Sequence, residues 1–323
     1  MHSSIRRCLG AIAFVALALG AWHAGAAPVA DSFATSGSGA YTAPAVLNGQ
    51  NPGIPNFSGA WSGSTQFSVI TTGLNSSAVT YEKGGAAELV GTSSDAAQNV
   101  SRSVTVPSSS TYYMSFMVIR GNATSITPGS YALIGFGNGV QPNTETTNST
   151  VQGLYVGYVQ TASTTDSGGT NYNDYGSLII RTRQDIGGTE ENVDTIMVDG
   201  EGNSTYETNY FVVAKLQVNT SGSNDTLEYW VNPTSIASDS AMSSSALVTN
   251  TITVNTIGSS ADLSKLMLAE QSYAATIDFD EPRIATNLTD LAAATPTPEP
   301  STVGLVLLAA GLLGRHRKWH RMY

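Results

Sequence analysis

Between residues 27 and 294 the chain is a succession of short β-branched and aromatic runs, each ended by Gly, Asn, Ser or Asp, and helical periodicity is almost absent. Thirteen runs read as strands: 65–70, 86–90, 100–106, 112–119, 131–136, 153–160, 177–183, 194–198, 210–218, 225–231, 251–254, 263–268 and 275–283. Strands at this spacing, separated by turn residues, predict an all-β antiparallel sandwich. Residues 101–106 alternate as a half-exposed strand does, whereas 112–119 is apolar nearly throughout and reads as a central strand. The clearest hairpin joins 211–218 to 227–231 through the polar turn 219–225, with Asn232-Pro233 stopping the second strand. Residues 142–150 and 161–174 are expected to be loops. Over 259–268 a strand is the leading reading, with a short helix capped by Ser260 or Asp262 as the alternative. No repeat of fixed period is present, which disfavours a solenoid or propeller.

The two ends differ in kind from this body. Residues 1–26 carry Arg6 and Arg7, an apolar stretch over 9–21, and the small residues Ala24 and Ala26 before Ala27, the three regions of a secretory signal peptide cut by signal peptidase. Cys8 precedes the apolar stretch, so it is not placed as a lipoprotein attachment site. At the other end, 293–300 is a proline-rich linker closing on Pro298-Glu299-Pro300, and 301–323 holds an apolar run over 302–314 followed by Arg315, Arg317 and Lys318. The prolines hold the entry extended, the apolar run favours helix, and the basic cluster stays on the cytoplasmic side of a membrane. At about 13 residues the run is short of the roughly 20 that span a bilayer comfortably, which suits a transient sorting signal better than a permanent single-pass anchor. This three-part tail resembles the PEP-CTERM sorting signal of Gram-negative bacteria, also catalogued as an ice-binding-protein C-terminal domain. The resemblance implies transient inner-membrane insertion, recognition by an exosortase-like membrane protease, cutting near the box, and a destination at the cell surface or in the extracellular matrix. Ice binding is not carried over: a flat ice-binding face needs regular Thr-x-Thr arrays, and the threonines here are scattered.

Charge and residue usage exclude several chemistries. Without residues 1–26 and 301–323 the body of the chain holds eight Lys/Arg against 24 Asp/Glu, a net charge of −16 that repels nucleic acid and anionic headgroups. It contains neither cysteine nor histidine, since Cys8, His2 and His23 precede it and His316 and His320 follow it. Disulfides, Ser-His-Asp and Cys-His catalysis and ordinary zinc sites are therefore unavailable. Roughly 265 residues can nevertheless bury a core large enough to stand without cross-links.

Further blocks run in order along the body: Asp31-Ser32-Phe33, Leu47-Asn48-Gly49-Gln50-Asn51, Phe57-Ser58-Gly59-Ala60-Trp61, Tyr112-Tyr113-Met114-Ser115-Phe116, Leu227-Glu228-Tyr229-Trp230-Val231-Asn232-Pro233 and Ile277-Asp278-Phe279-Asp280-Glu281-Pro282-Arg283-Ile284. Their order resembles exported PEP-CTERM-tailed proteins with a concanavalin A-like (LamG-like) jelly-roll β-sandwich. The resemblance implies one such domain over 27–292, between an N-terminal signal peptide helix and a short C-terminal hydrophobic helix. The first and last blocks should pair, as terminal strands of a jelly roll do. Pro282 stands where that family usually has Ile; lacking an N–H, it should end its strand or lie at an edge. The first tryptophan of the family pattern is replaced around residues 54–57.

Candidate sites are few. Asp199, Glu201 and Asn203 place oxygen ligands at alternate positions in a Gly-rich stretch, the pattern of half a calcium loop, and LamG-like folds often hold one calcium. The same pattern serves a hairpin turn, and Glu207 falls too early for the closing bidentate ligand. No other cofactor is expected. Tyr172 and Tyr175, on an expected loop, are candidates for stacking on sugar rings, whereas Trp61 and Trp230 are expected in the core. The acid pairs a jelly-roll glycoside hydrolase would need have two weak counterparts, 190–194, read as a solvated turn, and Asp278 with Asp280. The expected function is that of a non-catalytic exported surface or matrix protein associated with envelope or exopolysaccharide carbohydrate. The alternatives are a purely structural or adhesive matrix component and a divergent glycoside hydrolase.

Overall fold

The computed structural model describes residues 28–36, 40–79, 84–90, 97–121, 129–142, 152–160, 164–165, 171–172, 176–186, 189–200, 205–219, 224–254, 259–273 and 275–293. In chain order the strands are β1 (Val29–Ala30), β2 (Ala45–Val46), β3 (Phe57–Gly63), β4 (Phe67–Ile70), β5 (Ala86–Leu89), β6 (Gln98–Val104), β7 (Thr111–Arg120), β8 (Tyr131–Gly137), β9 (Gly153–Val159), β10 (Thr164–Thr165), β11 (Asn171–Tyr172), β12 (Ser177–Ile186), β13 (Thr189–Val198), β14 (Tyr210–Gln217), β15 (Asp225–Val231), β16 (Val248–Val254), β17 (Lys265–Gln271) and β18 (Ile277–Ala285). Two short helices join them, α1 (Asp239–Ser245) and α2 (Leu288–Ala292). One sheet runs β16-β15-β14-β7-β18-β5-β4-β2 with β1 also on β18; the other runs β13-β12-β9-β8-β17-β6-β3. Both are antiparallel, and the chain passes repeatedly between them, giving the jelly-roll sandwich expected from the sequence.

Period-2 alternation decides what each strand buries. Along β7, Tyr112, Met114, Phe116 and Val118 enter the core between the sheets, meeting residues such as Phe136 of β8, whose ring lies 6.0 Å from that of Phe116. The opposite face of β7 is apolar too. Met117 joins Phe211, Val213, Trp230 and Ala285 in a second core on the outer face of the nine-stranded sheet, closed by Ile236, Met242 of α1 and Leu291 of α2. A third cluster covers the outer face of the seven-stranded sheet, with Tyr131, Leu133, Tyr155, Ile179 and Met267. Being covered on both faces is why β7, β8 and β9 are written as nearly unbroken apolar runs. Trp61 and Trp230 are both core residues, in the first and second clusters respectively.

The ends of the domain meet as expected: Val29 pairs with Ile284 and Ala30 with Arg283, and the Asp31 N–H donates to the Pro282 carbonyl at 3.1 Å. Pro282 itself corrects the sequence reading. It neither ends its strand nor lies at an edge, because β18 runs on to Ala285 between β7 and the β5/β1 side. The register against β7 shifts between Asp280 and Arg283, and Glu281 adopts φ 50°, so the proline occupies a β-bulge, where a missing N–H leaves no ladder bond unmade.

Three smaller expectations also change. The strand read over 263–268 is present as β17 from Lys265, while the alternative helix shrinks to a single 3-10 turn over 260–263 capped by Ser259, with Asp262 reciprocating as a capping box. Residues 190–194 belong to β13 rather than to a solvated turn, and within the loop expected at 161–174 the backbone pairs Thr164 with Tyr172. Among the described residues no helix is long and apolar enough to cross a membrane; residues 1–26, expected as a signal peptide, and the tail (301–323) lie outside them.

Candidate functional site

A polar groove of about 250 Å³ opens at the rim of the second core, lined by Asn75, Ser76, Ser77, Asn209, Phe211, Asn232 and Pro233. Three segments distant in sequence build it, and each is fixed by a separate interaction. Residues 74–79 form one wall. Leu74, Ala78 and Val79 pack against the second core, the Leu74 N–H donates to Asp280 Oδ2 at 2.8 Å, and the Asn75 carbonyl accepts from Asn209 Nδ2. Burial, with the neighbouring Glu281 carboxylate, pushes the pKa of Asp280 well above the usual carboxylate range, so this anchor sits in a poorly solvated place.

The other walls are the two ends of the β14–β15 hairpin. Asn232 directly follows β15 and takes the left-handed conformation, φ 49°, which asparagine tolerates better than most residues. Its backbone N–H donates to the Phe211 carbonyl at 2.7 Å, and its side-chain Oδ1 accepts the Phe211 N–H at 2.7 Å. This double clasp orients the amide so that Nδ2 is the free end, with no partner among the described residues. Asn209, directly before β14, is oriented the opposite way: Nδ2 is committed to Asn75, and Oδ1 lacks a donor. Phe211, 2% exposed, and Pro233 supply the apolar part of the lining. Among the described residues no charged side chain lines the groove.

Elsewhere, polar side chains serve the fold. Arg181 on the outer face of the seven-stranded sheet holds Asp194 through Nε and Nη2, donates to the Pro142 carbonyl at 2.7 Å, and stacks 4.5 Å above the Tyr131 ring. Gln141 bridges the Tyr131 hydroxyl and Asn99, so residues 141 and 142 are tied down across that face. Asp278 lies directly across the ladder from Glu88; burial, and secondarily that carboxylate, push its pKa up to about 6. Asp280 shares its face but is enclosed by the Leu74 and Glu281 N–H groups, so the two do not form an open acid pair in a groove. Asp194, the other hydrolase candidate, is the ion-pair partner of Arg181.

Of the residues singled out from sequence, Asp199 lies at the exposed end of β13, where Ser177 Oγ contacts its carboxylate at 3.5 Å. Glu201 and Asn203 lie outside the described residues, among which no group of three His, Cys, Asp or Glu is placed to hold a metal. Tyr172 lies in β11, and Tyr175 is outside the described residues, as are Ala24, Ala26, Ala27, Pro298, Glu299, Pro300, Arg315, Arg317 and Lys318. The groove residues were not read as a site from the sequence. The signal available was local: Asn209 and Asn232 are amides bracketing the most legible hairpin of the chain.

No curated protein sequence matches the chain. Among solved structures, it is similar to domain 4 of the extracellular arabinanase AbnA from Geobacillus stearothermophilus in complex with arabinotriose, at 13% identity and TM-score 0.39 over 83% of this chain and 100% of that one. It is similar to a carbohydrate esterase of the Shiga toxin-encoding bacteriophage phi24B, at 10% identity and TM-score 0.40 over 70% and 90%. A Lotus tetragonolobus seed lectin gives 11% identity and TM-score 0.35 over 74% and 96%. At that distance these likenesses assign no activity. Residues 296–321, by contrast, match the family model of the PEP-CTERM protein-sorting motif. The chain therefore carries, at the Pro-Glu-Pro box, apolar run and basic end, the sorting motif that directs a protein of a Gram-negative bacterium to its cell envelope or surface.

Proposed function

We propose that the protein is a non-catalytic carbohydrate-binding component of the cell surface or extracellular matrix, delivered there after an exosortase-like enzyme cuts its tail near Pro298-Glu299-Pro300. The observation that carries the binding part is the groove around Asn209 and Asn232, lined among the described residues by amides, hydroxyls and an aromatic–proline pair. Carbohydrate presents hydroxyls that both donate and accept, together with C–H faces, and amide side chains answer both needs. The non-catalytic part rests on the body's lack of His and Cys and on the enclosure of Asp280, which removes it from any acid–base pair with Asp278. Retention of the exported protein on envelope polysaccharide or exopolysaccharide, with no release of reducing ends, is the expected result. Failure to bind any glycan of the producing cell would leave the adhesive or structural matrix role in its place. Turnover of a polysaccharide, abolished by Asp278→Asn, would overturn the non-catalytic assignment.

A further inference from the structure

We propose that β16 is an assembly edge: it pairs antiparallel with β16 of a second copy of this chain about a two-fold axis at Thr251, so that the nine-stranded sheet continues from one copy into the other. This stands apart from the carbohydrate reading and gives a surface or matrix protein a way to assemble.

The sheets end in four different ways. Strand β2 has two residues and is occupied by Gln50, whose Nε2 donates to the Val46 carbonyl at 2.8 Å. Strand β3 is bulged against β6, and residues 49 and 50 exchange backbone bonds with Trp61 on its other side. Strand β13 has an acidic sequence, with Glu190, Glu191 and Asp194 among its ten residues. These are the devices by which natural sheets keep an edge from pairing. Strand β16 has none of them. Its seven residues, Val-Thr-Asn-Thr-Ile-Thr-Val, lie on β15 without a register shift and include no charge, proline or glycine. Thr249, Asn250, Thr251 and Thr253 are exposed, and β15 is its one strand neighbour among the described residues.

Backbone direction shows that the edge is ready to pair. The Asn232 N–H bonds the Phe211 carbonyl of β14, so even-numbered residues of β15 turn their backbone groups to β14 and odd-numbered ones to β16. Through the β15–β16 register, residues 248, 250, 252 and 254 then face β15, and 249, 251 and 253 face the open side. Thr251 agrees independently: its N–H donates to Asn250 Oδ1 at 2.8 Å, a side chain standing where the carbonyl of a further strand would be.

Three features select a second copy as the occupant. An antiparallel pair centred on Thr251 aligns all seven residues, setting Thr251 against the partner's Thr251 and Thr249 against the partner's Thr253. The outward backbone groups then meet one another, and the threonines form cross-strand pairs. On the opposite face, Val254 is buried in the main core and Val248 packs against it, and the same register lays Val248 on the partner's Val254. Charge is the third feature. Two bodies at −16 repel each other, and β16 brings no acid to the seam. The acids of the next strand are engaged, Glu228 by Lys215 at 3.0 Å and Asp225 by the Asn219 N–H at 3.0 Å.

The experiment is sedimentation of the exported protein over a concentration series, at about 150 mM and about 1 M salt, where the Debye length falls from roughly 8 Å to roughly 3 Å. A monomer–dimer equilibrium is expected, with more dimer at high salt. In the dimer the backbone amides of Thr249 and Thr253 should be protected from hydrogen exchange. A lysine reduces the negative charge of the body, which by itself favours association; at the two-fold it sets two like charges face to face. Thr251→Lys should therefore weaken the dimer about tenfold or more, and Thr251→Glu likewise, while an equimolar mixture of the two re-forms it as a mixed dimer. Position 251 is exposed, and either variant alone carries the test should the other fail to fold. A monomer under every condition, or a dimer that a folded Thr251→Lys or Thr251→Glu variant leaves intact, would overturn the assembly edge. Protected Thr249 and Thr253 amides in a protein that stays monomeric would put a different occupant on this edge and overturn it too. A mixture of the two variants that stays monomeric would overturn the two-fold register.

Discussion

Tyr41 is the middle of a buried relay whose two neighbours come from separate blocks of the chain. Trp61 Nε1 donates to the Tyr41 hydroxyl at 2.8 Å, and that hydroxyl donates to Asp31 Oδ2 at 2.5 Å, while Asp31 Oδ1 accepts the Phe33 N–H. Burial pushes the pKa of Asp31 up to about 6, against the opposing effect of these donors, and moves the Tyr41 hydroxyl well above its usual range. Tyr41→Phe removes both bonds at once and leaves a buried donor and a buried acceptor, which should lower stability by about 2–4 kcal/mol. Urea unfolding checks it, and an unchanged midpoint would show the relay to be idle. Asp278, partly buried and directly opposite Glu88, has its pKa raised in the same direction, by burial first and by that carboxylate second, so its charge opposes the fold. Its folded pKa of about 6 exceeds the ordinary 3.8, so the folded state holds more protons than the unfolded state between those values. Stability therefore falls as pH rises through that window and stays lower above it. Asp278→Asn should be more stable than the parent by about 1–2 kcal/mol above pH 6, after allowance for its partial exposure, and show little of that gain near pH 4. A stability difference independent of pH would sink the assignment.

Strand β18 shows what an element adds that its residues do not announce. From the sequence, Pro282 was a place to stop; in the fold the Glu281-Pro282 bulge lets one strand serve two partners on the same edge, β5 before it and β1 after it. The bulge conformation belongs to Glu281, so Pro282→Ala should cost only about 0.5–1 kcal/mol, through the greater freedom of the unfolded chain. A clear stabilisation would instead restore the reading of Pro282 as a strand terminator. Directly after β18, α2 is capped by Asn287 and fixed by Leu291, which is fully buried, while the Arg283 guanidinium is held by Glu281 and donates to the Ala293 carbonyl. Leu291→Ala should remove about 2–4 kcal/mol and loosen α2 in hydrogen exchange, while leaving the sandwich itself folded. The same contrast explains what sequence could deliver. All thirteen expected runs overlap strands, marked either by period-2 alternation or, where both faces are covered, by unbroken apolar residues. Strand β3 was missed because only Trp61 among its seven residues is buried, and α1 because Met242 alone faces the core. The groove was illegible for a different reason: Asn75, Asn209 and Asn232 are ordinary turn asparagines until the fold brings them to one rim.

On the scale of the whole molecule, the two ends of the domain leave from one place, because β1 lies on β18 and α2 follows β18 at once. The folded body is fixed as far as Ala293, five residues before Pro298. Extended at about 3.1 Å per residue, the intervening chain reaches only about 15 Å. The length of chain thus keeps the sorting box close to a domain that is already anchored to its last turn of helix. Removal of residues 1–26 and 301–323 would also take away six of the 14 Lys/Arg and no Asp or Glu, leaving residues 27–300 at −16 in place of −10. The exported protein should therefore be lighter and more anodic than the full chain. Intact-mass measurement of material from the envelope or medium is expected to place its C-terminus near Pro298-Glu299-Pro300, and cells without the exosortase-like enzyme should accumulate the form retaining Arg315, Arg317 and Lys318. A surface-delivered protein that still ends at Tyr323 would falsify the cut while leaving the sorting motif as a route of export.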